Sequence, residues 1–431
     1  MNKFVYFFKK LNSSFWFKPL IIILAGIALS VLFLYLDTIT GFKPKGIYRM
    51  IFSGSSESAR KVLSAIANAM IGVAGTVFSI TLVVLTLATN QFGPRLLRNF
   101  MYQDMNQIVL GSYSGTYLYC LIVLNAVKGQ ETYTFVPNLS VLLALVLAVL
   151  NIILLILFIH HVSVSIQSSN VIENIGKIFN QTPIKIYPSG LGGDLNEENM
   201  RQHDLNSTSA IEILNKKDGY LQVIDNELLD FAKKKNVVVE VLYRPGHYIL
   251  KDLPIARVYN YKPEEDGHFK KNISDYFHLD NINTDFQNPE FAIHQLVEVA
   301  CRALSSGIND PYTAINCLDK LTAILGKLSG TDFPSPYRCD EDEELRLILV
   351  PLDFEGVTDA AFNQIRQFGA NSPSVIIHLM KCLKILFTIS DHPGRKQAIS
   401  IHSRKAMETA IASFVNKQDL SDLTLVYESF G

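Results

Sequence analysis

The sequence predicts a membrane domain of four transmembrane helices followed by a cytoplasmic α+β domain. Three observations carry that reading. Four apolar runs, each long enough to cross a hydrocarbon core that needs about 20 residues, lie at about 19–36, 62–89, 107–127 and 138–160. Charge divides the chain at the same place: residues 1–163 carry a net charge of +8 and the remainder carries −9. Beyond that division, short β-branched runs alternate with amphipathic helical stretches of ordinary soluble composition.

The first run follows a basic N-terminus, but it has 18 residues and no small-x-small cleavage site, so it reads as a retained anchor with Trp16 and Phe17 at the interface. In the second run, "SAIANAMIGVAGTVFSITLVVLTLATN", a helix turning about 100° per residue places Ser64, Asn68, Gly72, Gly75, Ser79, Thr86 and Asn90 within an arc of roughly 80°. Ile66, Met70, Val73, Val77, Ile80 and Val84 lie opposite. Small residues at four-residue spacing, here Ser64/Asn68/Gly72 and in the third run Gly111/Gly115, permit close helix contact in lipid. Two readings of the stripe stand: dry packing against another helix of the chain, or a water-accessible path with Leu82 as an apolar constriction. Pore-lining candidates are therefore Ser64, Asn68, Gly72, Gly75, Ser79, Leu82, Thr86 and Asn90. Arg95 and Arg98, in "NQFGPRLLRNF", suit lipid headgroups or a pore mouth. The fourth run ends at His160 and His161, which point about 100° apart and read as interfacial caps rather than metal ligands.

None of the four runs carries Asp, Glu, Lys or Arg in its interior, which argues against a pump or proton-coupled carrier and leaves a passive channel open. Loop charges tie at six against six. The basic N-terminus, the weight of the first span and cysteines without paired spacing (Cys301, Cys317, Cys339, Cys382) place both termini in the cytoplasm.

Residues 164–205 read as an amphipathic helix at the membrane surface, with an apolar face of Val164, Ile172, Ile175 and Phe179, followed by a flexible linker. Gly190, Gly192 and Gly193 in that linker lack the strand and helix of a phosphate loop. Residues 206–288 read as a small α+β subdomain with strands "GYLQVI", "NVVVEVLYR" and "IARVY" around the helix "DNELLDFAKKK". Residues 289–431 read as mainly helical, with helices at roughly 289–305, 311–328, 355–368, 373–390 and 395–415 and one strand "LRLILVP".

The stretch "ALSSGINDPYTAINCLDKL" reads as a tight corner between helices. Gly307 suits a helix C-terminus, Asp310 an N-cap and Pro311 the first helical turn. The following N-terminus, with Arg302 before the corner, is also a candidate anion site formed by Arg302, Asn309 and Asp310. "CDEDEE" at 339–344 matches no EF-hand spacing and reads as a solvated acidic loop. There is no HExxH, GxSxG, Walker lysine or CxxC, and His294/Glu298 at helical spacing lack a third group, so no enzyme activity, metal site or cofactor is expected.

The segments "GSSESARKVLSAIANAMIGVAGTVFSITLVVLTLATNQFGPRLLRNF", "LGSYSGTYLYCLIVL", "LFIHHVSVSIQ", "RPGHYI" and "CRALSSGINDPYTAINCLDKL" resemble a bacterial family of predicted membrane proteins, known as domain of unknown function 2254. The family's corner motif has proline after the serine where this chain has Ser306, which alters rigidity more than chemistry. The resemblance implies an inner-membrane protein with a cytoplasmic C-terminal domain and supplies no activity or ligand. The residues themselves lead to a homo-oligomeric channel or passive conduit lined by the second span and assembled or gated by the cytoplasmic domain. The alternative is a membrane-anchored binding or scaffold protein. Expected partners are membrane lipid, further copies of the chain, and a small ion or an unknown cytoplasmic ligand; nucleic acid is not expected.

Overall fold

The computed structural model describes residues 14–40, 55–93, 96, 104–130, 133–165, 167–181, 191–195, 210–261, 273–284, 287–288 and 290–430. They belong to two compact units that divide between residues 170 and 171.

The first unit contains four helices long and apolar enough to cross a membrane: α1 (Phe17–Thr40), α2 (Ser56–Phe92), α3 (Asp104–Ala126) and α4 (Asn138–Ser165). All four predicted spans are present, the helices extend beyond most of the apolar limits, and α2 runs on to its caps. Ser55 caps α2 by accepting from the Ser58 N–H at 3.2 Å, and Gly93 ends it at φ 104°. At 1.5 Å per residue α2 is about 55 Å long, more than the hydrocarbon requires. A short hairpin of β1 (Lys128–Gln130) and β2 (Tyr133–Phe135), which the sequence reading missed, joins α3 to α4.

Helix α3 packs on all three of the other helices, and half of its most apolar window is buried, against 11–17% in theirs. That position explains its polar content. The Tyr113 hydroxyl donates to the Asn151 carbonyl at 2.7 Å, the Tyr119 hydroxyl to the Ser140 carbonyl at 2.9 Å, and the Asn151 amide to Thr116 Oγ1 at 2.8 Å. Each of these three donors finds its acceptor on a neighbouring helix, which suits a lipid surrounding. The close approach expected of Gly111 and Gly115 occurs against α1. A Cβ on Gly26 would lie 2.8 Å from the Gly115 carbonyl oxygen, and one on Gly111 would lie 3.0 Å from Ile22 and Pro19. Just past the predicted end of the first span, buried Asp37 caps α4 from a distance. Its carboxylate accepts from the Leu139 and Ser140 N–H groups, both at 2.9 Å, and from the Ser140 hydroxyl at 2.6 Å. A carboxylate at a helix N-terminus meets both the free N–H groups and the positive end of the dipole.

The second unit takes in α5 (Ser168–Gln181) from Val171 onward, and the apolar side of that helix is covered by protein. Val171, Ile172, Ile175 and Phe179 are buried, so this face is not the membrane-surface face the sequence suggests. Glu173 is ion-paired with Lys320 on α8 (Pro311–Ser329), whose side chain also lies across Gly176. Six strands form a mixed sheet in the order β3 (Gly193–Asp194), β10 (Tyr337–Cys339), β11 (Leu345–Ile348), β6 (Val238–Val241), β8 (Pro254–Tyr259), β4 (Ile211–Leu214). Only β11 and β6 pair in parallel, with Leu347 opposite Val239. One sheet therefore spans the stretches read as 206–288 and 289–431. A second sheet, β7 (Tyr248–Ile249), β5 (Gly219–Ile224) and β9 (Phe277–Asp280), is antiparallel. Helix α6 (Glu227–Lys235) carries acids in its first turn and three lysines in its last, and Asn236 ends it in the left-handed region at φ 51°.

Part of the predicted linker is sheet. Leu191, Gly192 and Asp194 all bond to the buried Arg338 guanidinium. Gly192 has φ 87°, and a Cβ there would lie 2.3 Å from the Cys339 carbonyl oxygen, so geometry and not phosphate binding demands this glycine. The remaining helices are α7 (Phe291–Ala303), α9 (Phe354–Phe368), α10 (Pro373–Ile389), α11 (Pro393–Ser413) and α12 (Lys417–Glu428), the last unforeseen.

Candidate functional site

The stripe on α2 faces away from α1, α3 and α4. Ala59, Leu63, Ala67, Met70, Ala74, Val77, Ala88 and Phe92 form the buried side of the helix. Ser64 is half-buried, whereas Asn68, Gly72, Gly75, Ser79, Leu82, Thr86 and Asn90 are exposed. A Cβ at Gly72 or Gly75 would meet nothing within 4 Å. Among the described residues no helix packs on the stripe: the small alanines of the opposite side fit against α3, and the polar side is left over. Its hydroxyls satisfy themselves on the preceding turn. Ser79 donates to the Gly75 carbonyl at 2.9 Å and Thr86 to the Leu82 carbonyl at 2.9 Å, with Thr76, Thr81 and Thr89 bonded likewise. The Asn68 carboxamide makes no hydrogen bond among the described residues. Arg95 and Arg98 lie outside the described residues.

The helix corner is built as its sequence suggests at one end and differently at the other. Asp310 accepts from the Thr313 N–H at 3.1 Å and from the Thr313 hydroxyl at 2.6 Å, and Pro311 starts α8. The left-handed residue is Asn309 at φ 49°, not Gly307, because the Asn309 and Asp310 N–H groups fold back onto the Ser305 and Ala303 carbonyls. Arg302 approaches Glu298 one turn earlier, at 3.9 Å. The chain's own carboxylate therefore occupies the N-terminus where Arg302, Asn309 and Asp310 were candidates to hold an anion. In the acidic hairpin between β10 and β11, Asp340 accepts from the Asp342 and Glu344 N–H groups and from Arg346 Nε at 2.7 Å, which holds its pKa down although burial pushes it up.

The "RPGHYI" turn is a joint. Arg244 donates to Glu290 at 2.6 Å, and the buried Glu290 stands immediately before α7. Gly246 has φ 100° with Asn288 packed against it. Burial, and secondarily Arg244, push the pKa of His247 down.

Sequence reasoning missed one further group. Asp319 on α8 and His378 and Cys382 on α10 bring their ligand atoms within 4.8 Å of one another. His378 Nε2 lies 2.6 Å from Asp319 Oδ1. Burial pushes the Cys382 thiol up to about 11, so at neutral pH it stands protonated rather than as a free nucleophile. His378 and Cys382 are spaced four apart on one helix face, the only local signal; Asp319 arrives through packing.

The family model described as "Predicted membrane protein (DUF2254)" matches residues 12–385. The chain belongs to this family. Relatives in two strains of Mycobacterium tuberculosis (CDC 1551 / Oshkosh and ATCC 25618 / H37Rv) and in Mycobacterium bovis are each named as an uncharacterized protein. Each is 28% identical to this chain over 378 residues, covering 86% of it and 72% of the relative. No solved structure matches. In this DUF2254 chain the matched region takes in all four candidate spans, the "RPGHYI" joint, the helix corner and the Asp319–His378–Cys382 group.

Proposed function

We propose that this DUF2254 protein is a multi-pass protein of the bacterial inner membrane with both termini cytoplasmic, and that it acts as a homo-oligomeric passive conduit. Copies of α2 face one another across the polar stripe, and the cytoplasmic C-terminal unit assembles or gates them. The observation that carries this reading is the outward face of α2. Among the described residues it sets an unpartnered carboxamide, two open glycines and self-satisfied hydroxyls on the side of the helix that no other helix covers. Placing an amide in hydrocarbon without a partner costs roughly 2–7 kcal/mol, so Asn68 favours a second copy or water over lipid tails. Glycines let backbones approach closely, and hydroxyls already bonded to the helix leave their lone pairs available to passing water or ions.

The test places a single cysteine at Gly75 in a chain freed of its five native cysteines. Crosslinking between copies, together with modification by a small membrane-impermeant thiol reagent, supports the conduit, and Asn68→Leu should then reduce flux while leaving assembly intact. An uncrosslinked, unreactive Gly75→Cys chain in which a control cysteine in the second unit reacts normally would place the stripe against lipid and end the proposal. The competing reading, a membrane-anchored binding or scaffold protein, draws support from the compactness of residues 171–431 as a unit of their own. It gains if that segment, expressed alone, folds and retains a ligand or partner.

A further inference from the structure

We propose that Asp319, His378 and Cys382 form a mononuclear binding site for a transition-metal ion of the zinc class. The donor set decides the ion. A thiolate and an imidazole favour zinc and its neighbours, whereas magnesium and calcium take oxygen donors almost alone. The geometry suits one small cation. Three chemically different ligand atoms from two helices converge within 4.8 Å, while bonds of about 2.0–2.3 Å would set the ligand atoms of a tetrahedral site about 3.3–3.5 Å apart. The 2.6 Å contact between His378 Nε2 and Asp319 Oδ1 is a hydrogen bond that the ion would replace, with both atoms drawing apart by about an ångström to bind it from either side.

The three residues stand on a rigid frame. His378 and Cys382 occupy adjacent turns of α10, and α8, which carries Asp319, packs directly against α10. Cys382 lies on the buried side, His378 between, and Asp319 on the exposed side. Three protein ligands leave a fourth position for water, as in an open zinc site rather than a closed structural one. The site belongs wholly to the second unit and does not depend on whether α2 lines a path.

The experiment uses the full chain in detergent, purified without a histidine tag, stripped with a chelator and dialysed against cobalt(II) and, separately, zinc(II). The expected result is one ion per chain by elemental analysis and a thiolate-to-cobalt charge-transfer band for the cobalt form. Cys382→Ser should abolish the band. His378→Ala and Asp319→Asn should each weaken binding by at least about tenfold, the scale of loss that even outer-shell changes produce. Metal-free melting curves identify any variant that fails to fold, and the other two then carry the comparison. A wild-type cobalt form without the thiolate band, a band that survives in Cys382→Ser, or equal binding by wild type and all folded variants would overturn the site and reduce it to an ordinary His378–Asp319 hydrogen bond.

Discussion

Asp37 shows how much one side chain can decide in this protein. Its carboxylate satisfies two N–H groups and a hydroxyl at the start of α4, more than a hundred residues away in sequence. Asp37→Ala leaves those donors without an acceptor and should lower unfolding stability in detergent by about 1–2 kcal/mol, the usual worth of an N-cap. Asp37→Asn, which keeps one acceptor oxygen, should recover part of the loss. Titration with a denaturing detergent measures both. The distance in sequence is why reading the first run as ending at residue 36 passes over Asp37: nothing local marks a polar residue at the end of a span as another helix's cap. Asp310 is the opposite case. It caps its own helix through Thr313, three residues on, so its role was legible in "NDPYT".

At the scale of elements, the glycines divide α1 and α3 from α2. Gly26 and Gly115 sit where backbones touch, so Gly26→Leu should force α1 from α3 and destabilise the monomer by several kcal/mol, an overpacking cost at or beyond about 1–3 kcal/mol. Gly72→Leu on α2 meets open space and should leave monomer stability within about 0.5 kcal/mol of wild type while weakening crosslinking between copies. Thermal unfolding and single-cysteine crosslinking of both variants separate the two roles. The sequence pattern gives the same small-residue spacing at both places. Only the packing of α3 into the centre determines which set is used inside the chain. Strands show a similar limit. Runs such as "GYLQVI" and "LRLILVP" were legible from their apolar, strand-forming residues, whereas the two-residue β3 pairs only with β10 and is held by Arg338.

At the scale of the whole molecule, the second unit contains a built-in sensitivity to acid. His402 is buried beside Asp359, with Nε2 and Oδ1 3.0 Å apart. Burial, and then Lys405, push its pKa down to about 4 from an ordinary value of 6.5. Its folded pKa lies below its unfolded one, so between roughly pH 6.5 and 4 the unfolded chain binds the proton more readily. Stability is complete above that window and falls as pH drops through it, by about 3 kcal/mol from this group at 1.36 kcal/mol per pKa unit. Asp359 acts in the same direction. Burial raises its pKa, but Asn363 and Lys405 hold it down on balance, and a depressed carboxylate loses stability as pH falls. Denaturant unfolding at pH 7.5 and pH 5 should show the loss, and His402→Gln should flatten the dependence.

The division into an apolar, basic first part and an acidic second part, the four spans, most of the long helices and the cap at Asp310 are legible in the order of residues. All of these follow from composition, periodicity and contacts within a few residues. Tertiary structure alone sets which face of α2 is left uncovered, that Asp37, inside α1, caps α4, that one sheet joins strands about a hundred residues apart, and that Asp319 meets His378 and Cys382. Each depends on how helices and strands pack across long separations. A hydrophobic pattern states which side of an element must be buried, and says nothing of which neighbour will bury it.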